Sequence, residues 1–146
     1  MFTQDRNQMR QFFVDVWRKN TAPGSPTLEP LEKLVATVIE QHPEYHGMLL
    51  KPEAALTQDF LPEGGHSNPF LHMSMHIAIQ EQLGSRKPEG INAIWGELVR
   101  HHNSAHEAEH RMMECLAETL WQAQNEHREP DQTAYLRQLQ ALLEIS

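Results

Sequence analysis

The sequence holds one cysteine, Cys115, and two tyrosines, and aromatic residues make up only 7% of its 146 positions. One thiol can form neither an intramolecular disulfide nor a cysteine-based zinc knuckle, so the fold rests on its apolar core and the composition suits a reducing compartment. Long hydrophobic runs are missing too. No stretch approaches the roughly 18 uninterrupted apolar residues of a membrane-spanning helix, and MFTQDRNQMRQFFVD breaks its only apolar run with charges, unlike a secretory signal. A cytoplasmic protein with no membrane partner is expected. Basic charge is scarce: 12 Lys and Arg stand against 20 Asp and Glu, a formal net charge of -8. With no Lys/Arg cluster to track phosphates, nucleic acid is not an expected partner either.

What is present is helical patterning. A chain of this length is expected to form one domain over residues 1–146 and to bury roughly 70% of its unfolded surface, so any metal would serve function rather than folding. Between Gln4 and Asn20, Met9, Phe12, Phe13, Val16 and Trp17 fall at helical spacing, with Thr3 or Asp5 able to cap the start. Thr27 precedes a second helix with a stripe of Leu31, Leu34, Val35, Val38 and Ile39, expected to end near His42 because Pro43 follows. Residues 43–68 read as short helical turns, PEYHGMLL and PEAALTQ, and a Gly-rich loop. Asn68 and Pro69 form an N-cap and first-turn proline for a third helix ending at Gly84. A long fourth helix is expected from Ile91 to Gln124, with Asn103-Ser104 as a possible kink, and a last one after Pro130. Nothing alternates with period two for long enough to make a strand. The fold class predicted is all-α, an antiparallel helical bundle of four to five main helices with short turns between helices two and three.

Ten histidines are the compositional anomaly. On a helical wheel at about 100° per residue, His72 and His76 share the apolar side of helix three with Met75, Ile79 and Leu83, while Ser74 and Glu81 lie opposite. On helix four, His102, His106 and Glu109, with His110 at the edge, fall within the arc of Ile91, Ile94, Trp95, Leu98, Val99, Ala105, Met112, Met113, Leu116, Ala117 and Leu120. Glu109 lies near the centre of that arc, where a buried carboxylate needs a cation or a proton donor. Two inward His-x3-His pairs with a carboxylate between them are how helical proteins hold a divalent transition metal, here Zn, Ni or Fe. The candidate ligands are His72, His76, His106 and His110, with Glu109 and His102 completing or orienting the shell.

Two other readings stand beside this one. Inward histidines can instead hydrogen-bond each other and Glu109, forming a buried polar layer in a non-metal interaction protein. The string His106-Glu107-Ala108-Glu109-His110 also fits the HExxH pattern of metal-dependent hydrolases, with Glu107 as base, so enzymatic activity is left open and no catalytic residue is assigned. The other histidines read as peripheral: His42 and His46 straddle Pro43 and suit capping or surface roles, His66 lies in the Gly-rich loop, and His101 and His127 lie off the stripe or at its end. Cys115 falls opposite the helix-four arc and reads as packing. Trp17, Trp95 and Trp121 read as core or core-edge anchors. A homodimer through an apolar flank is also open, and neither a protein nor a small-molecule partner is specified.

The strings RQFFVDVW, QHPEYHGMLLKPEAAL, NPFLHMSMHIAIQEQL and HEAEHRMMECLAETLWQAQ, spread from Arg10 to Gln124, resemble a bacterial family of small proteins, the domain of unknown function DUF1841. The resemblance implies a helical cytoplasmic protein and names no reaction. Its NPFLH-x3-H segment corresponds to Asn68 through His76, and its H-x3-H-x-MMEC segment to His106 through Cys115. A looser, architectural similarity links the chain to DinB-like bundle metalloproteins, which place one His on an early helix and a His-x3-His pair on a later one. His72 or His76 with His106 and His110 would meet that order. The hemerythrin-like order of ligands is not met.

Overall fold

A computed structural model describes residues 6–24, 27–51, 53, 56 and 68–145. Thr3 and Asp5, His66 and most of the PEAALTQ segment lie outside the described residues. Among the described residues there are seven α-helices, one 3₁₀ turn and no strand, so the chain is all-α. The helices are α1 (Arg6–Thr21), α2 (Pro30–Glu40), α3 (His46–Leu49), α4 (Pro69–Ser85), α5 (Ile91–His102), α6 (Ala105–Asn125) and α7 (Gln132–Ile145), and the 3₁₀ turn Pro43–Tyr45 lies between α2 and α3. They divide between two compact units, Met1–Ile77 and Ala78–Ser146. The first half of α4 belongs to the former and the second half to the latter.

In the N-terminal unit α1 packs against α2 and α3. Phe13, Val16 and Trp17 of α1 and Val35, Val38 and Ile39 of α2 form the core, joined by Phe70, Met73 and Ile77 of α4. Phe13 and Phe70 meet edge to face with ring centroids 5.7 Å apart, a favoured aromatic geometry. The fully buried Arg10 sets its guanidinium 4.9 Å from the Phe70 ring centroid. The N-cap of α2 is Glu29 rather than Thr27, its amide bonded to the Glu32 carboxylate at 2.8 Å. Proline at the next position presets the helical φ. The start of α4 is as the sequence implies: Asn68 Oδ1 accepts from the amides of Phe70 and Leu71, with Pro69 first in the helix. Ser74, expected on the polar side of this helix, is instead buried and donates to the Met9 sulfur at 3.5 Å. The reason is that α4 buries successive residues from Met73 to Ile77 on all sides, and a helix apolar around its circumference has no solvent face to offer.

The C-terminal unit packs α5, α6 and α7 pairwise. The expected long fourth helix is two helices. Asn103 turns left-handed at φ 52 and ends α5, and Ser104 caps α6 through an Oγ that accepts from Glu107 N at 3.1 Å. Asn tolerates that conformation and Ser suits an N-cap, so the pair reads as stop and restart rather than as a bend. The break shifts the buried arc of α6. Ala108, Met112, Cys115, Leu116, Thr119 and Ala123 are buried, while His106, Ala117, Leu120 and Trp121 are exposed. Two expectations are thereby corrected. His106 does not face the interior, and Trp121, 60% exposed, is no core anchor.

Tyr135 of α7 is fully buried and donates its hydroxyl to Gln82 Oε1 at 2.7 Å. Burial is the main force that pushes its phenol well above the usual range. Burial, reinforced by Glu114, likewise pushes the Cys115 thiol from its ordinary 9.0 to about 11. The folded state therefore favours the neutral thiol, and its contribution is complete below the unfolded value and lost as pH rises through the folded one. Thermal unfolding should show a midpoint that falls between pH 9.0 and about 11, and Cys115→Ala should flatten that fall. An unchanged slope in the variant would contradict the assignment.

Candidate metal centre

The site begins where α2 ends. The stripe Val35, Val38, Ile39 continues one turn on to position 42, so His42 follows the buried side of the helix. The residue before a proline is pushed out of the helical region, and His42 stands at φ -126, ψ 67 with Pro43 opening the 3₁₀ turn. At the C-cap Gln41, ψ flattens to -6, which tilts the next peptide plane, and the His42 amide bonds Ile39 O at 2.9 Å rather than Val38 O. The carbonyl of Val38, left without that helical donor, lies 2.7 Å from His42 Nδ1. A carbonyl can only accept, so Nδ1 carries the proton and the lone pair of the neutral ring is on Nε2. Tyr45, at the end of the turn, lies parallel to the His42 ring at 6° with centroids 5.4 Å apart. Burial, with Glu44 adding to it, raises the Tyr45 phenol above its ordinary value. His46 is engaged differently, with Nε2 2.8 Å from Ile39 O and its ring 4.4 Å from that of Trp17.

Helix α4 brings the other two rings. His72 and His76 are one turn apart on one face, with Nε2 atoms 3.1 Å from each other. The His42 ring centroid lies 5.1 Å from that of His72 and 4.8 Å from that of His76. One nitrogen from each of the three histidines can be chosen so that all lie within 4.8 Å of one another. Ligand nitrogens around a tetrahedral zinc at 2.0–2.1 Å stand about 3.3 Å apart. The His72–His76 edge is close to that value, and the widest edge needs to close by at most roughly 1.5 Å. His42 and His76 are buried, while His72 is half-buried. The donor set consists of three imidazoles, which suits Zn, Ni, Fe or Cu over Ca or Mg. A ligating histidine commonly holds its second ring nitrogen against a carbonyl or carboxylate, and Val38 O supplies that support to His42.

The sequence places His72 and His76 on an inward face, where His76 is buried and His72 half-buried, and His42 at the periphery. The signal for His42 is the unbroken 35, 38, 39, 42 spacing, which Pro43 obscures by ending the helix. The other sequence candidates lie in the C-terminal unit. Exposed His106 packs its ring against His110, centroids 4.1 Å apart at 66°. Glu109 is buried as expected, and the proton donor it requires includes Gln80 Nε2 at 3.1 Å. His102 is half-buried, with Nε2 enclosed and no hydrogen-bond partner among the described residues. Glu107 pairs with Arg111 at 3.1 Å on a well-exposed stretch of surface. Among the described residues, the three-histidine convergence is found at His42, His72 and His76.

The tautomer of His42 can be read in the metal-free protein. Long-range ¹H–¹⁵N correlation should show His42 protonated at Nδ1, and Pro43→Ala, which lets the amide of residue 42 reclaim Val38 O, should shift the proton toward Nε2. An Nε2-protonated ring in the unmodified protein would contradict the geometry.

No curated protein and no solved structure matches the chain. A family match does exist and spans nearly the whole sequence. Residues 5–141 match the family described as "Domain of unknown function (DUF1841)", and the chain belongs to it.

Proposed function

We propose that the protein binds one divalent transition ion, Zn, Ni or Fe, through His42, His72 and His76. The observation that carries this reading is the convergence of three histidine ligand atoms within 4.8 Å, and the bond from His42 Nδ1 to Val38 O leaves Nε2 of that ring as its open ligand atom. Two neighbours on a helix could pair by chance. A third ring arriving from a separate element, with its outer nitrogen satisfied by a carbonyl, is what a metal ligand needs. The order of ligands, one histidine early and a His-x3-His pair later, also meets the DinB-like pattern, with His42 as the early residue and His72 and His76 as the later pair. Three imidazoles leave a fourth tetrahedral position for a ligand from outside the triad, the arrangement of metal sites that act on something rather than only brace a fold.

A second reading has its own observation. The 3.1 Å approach of His76 Nε2 to His72 Nε2 is a hydrogen-bond distance, and with the His42–Val38 bond it supports a buried polar layer that holds no ion. The hydrolase reading gains nothing comparable, since Glu107, its base, is held by Arg111.

Metal analysis of protein purified without an affinity tag separates the first two. The metal reading expects about one equivalent of ion after incubation with Zn²⁺ or Ni²⁺, and a midpoint raised by about 2.7 kcal/mol worth of stability when free metal is a hundredfold above Kd. His42→Ala, His72→Ala and His76→Ala should each lose the bound ion. Less than about a tenth of an equivalent, unchanged by added metal, would leave the polar layer as the account of the cluster.

A further inference from the structure

The C-terminal unit carries a groove of its own. Its walls are α5 and α7, which pack against each other, and it holds about 290 Å³ of space. From α5 come Ala93, Ile94 and Glu97, neighbours on one side of the helix. From α7 come Leu136, Gln140 and Leu143, spaced i, i+4 and i+7. Ile94 is buried and the two leucines are half-buried, so the floor is apolar, while Ala93, Glu97 and Gln140 stand exposed at the rim. The volume sits at the lower end of small-molecule sites, which run from roughly 300 to 1,000 Å³. It is too small to seat a helical peptide, whose diameter with side chains is roughly 10–12 Å.

Charge then selects among small molecules. The charged side chains that line the groove are those of Glu89 and Glu97, both exposed, in a chain of net charge -8. An anion is repelled from such a rim and a cation is drawn to it. The two carboxylates are not equivalent. Glu89 precedes Gly90, the N-cap of α5, where the helix end offers partial positive charge of roughly half an elementary charge. Glu97 lies about two turns further on, beyond a field that fades within the first turn, so its carboxylate is the stronger anchor. We propose that this groove binds a small amphiphilic cation, an ammonium group on a compact aryl or alkyl body, with the body on Ile94, Leu136 and Leu143 and the ammonium at Glu97. Gln140, between the two leucines, adds an amide oxygen that can accept from the same ammonium.

Three probes that share an aryl body and differ in the charge of the head separate the contributions: phenethylamine, 2-phenylethanol and 3-phenylpropanoate. The full chain is titrated with each at low ionic strength, and the backbone amides are followed by ¹H–¹⁵N NMR. The amine should give saturable shifts centred on Ala93, Ile94, Glu97, Leu136, Gln140 and Leu143. By the usual strength of an exposed ion pair it should bind about two- to fivefold more tightly than the alcohol, with the carboxylate weakest, and the advantage should shrink in 1 M salt. Glu97→Gln should remove the advantage of the amine and leave the alcohol unchanged, whereas Glu89→Gln should reduce it less. Ala93→Trp, which fills the groove from an exposed position, should abolish binding of all three while the amide signals of α6 stay in place. Equal affinity for amine and alcohol, or an advantage that survives Glu97→Gln, would overturn the cation as occupant. Shifts that do not saturate, that spread over the acidic surface at large, or that persist in Ala93→Trp would overturn the groove as the site.

Discussion

The carbonyl of Val38 decides what His42 can do. In an uninterrupted helix that oxygen would accept from the amide of residue 42, and the imidazole would be free to take either tautomer. Pro43 removes the helical option for His42, the flattened ψ at Gln41 turns the amide to Ile39, and the carbonyl is handed to the ring. From that one substitution of donor follow the protonated Nδ1, the lone pair on Nε2 and the meeting with His72 and His76. A helix end that would otherwise expose orphan carbonyls is closed by two histidine side chains, His42 on Val38 and His46 on Ile39. Capping of α2 and preparation of the cluster are the same set of contacts.

The environment of α4 completes the arrangement. The helix is buried at every position from Met73 to Ile77, so His76 has no solvent to which it could turn. Histidines placed in such a helix must find polar partners or an ion. The pairing of His72 with His76 at 3.1 Å gives each of these two rings a hydrogen-bond partner in the metal-free protein. In the other unit, Glu109 has found an amide donor in Gln80, and Cys115 and Tyr135 remain neutral through burial.

Most of the helices were legible in the sequence because apolar spacing and caps agree there, as at Asn68-Pro69 and in the stripe from Leu31 to Ile39. The histidine pair of α4 was legible for the same reason. What escaped was the consequence of local breaks. Asn103-Ser104 ends one helix and starts another, so a wheel drawn straight through it rotates the face of α6 and puts His106 inside when it is exposed. At Pro43 the error ran the other way. The proline is expected to remove His42 from the helical face, whereas the chain leaves the helix and the side chain stays with the core. A periodic pattern tells where a helix faces only as far as its own caps, and a ligand just beyond a cap is positioned by the hydrogen bonds that end the helix.

X-ray absorption at the metal edge of the zinc-loaded protein tests the account at its centre. The account predicts a first shell with three imidazole nitrogens at about 2.0–2.1 Å and one exchangeable donor from outside the triad, and loss of the bound zinc in His42→Ala. A shell dominated by water or carboxylate oxygen, or an imidazole count that His42→Ala leaves unchanged, would contradict it.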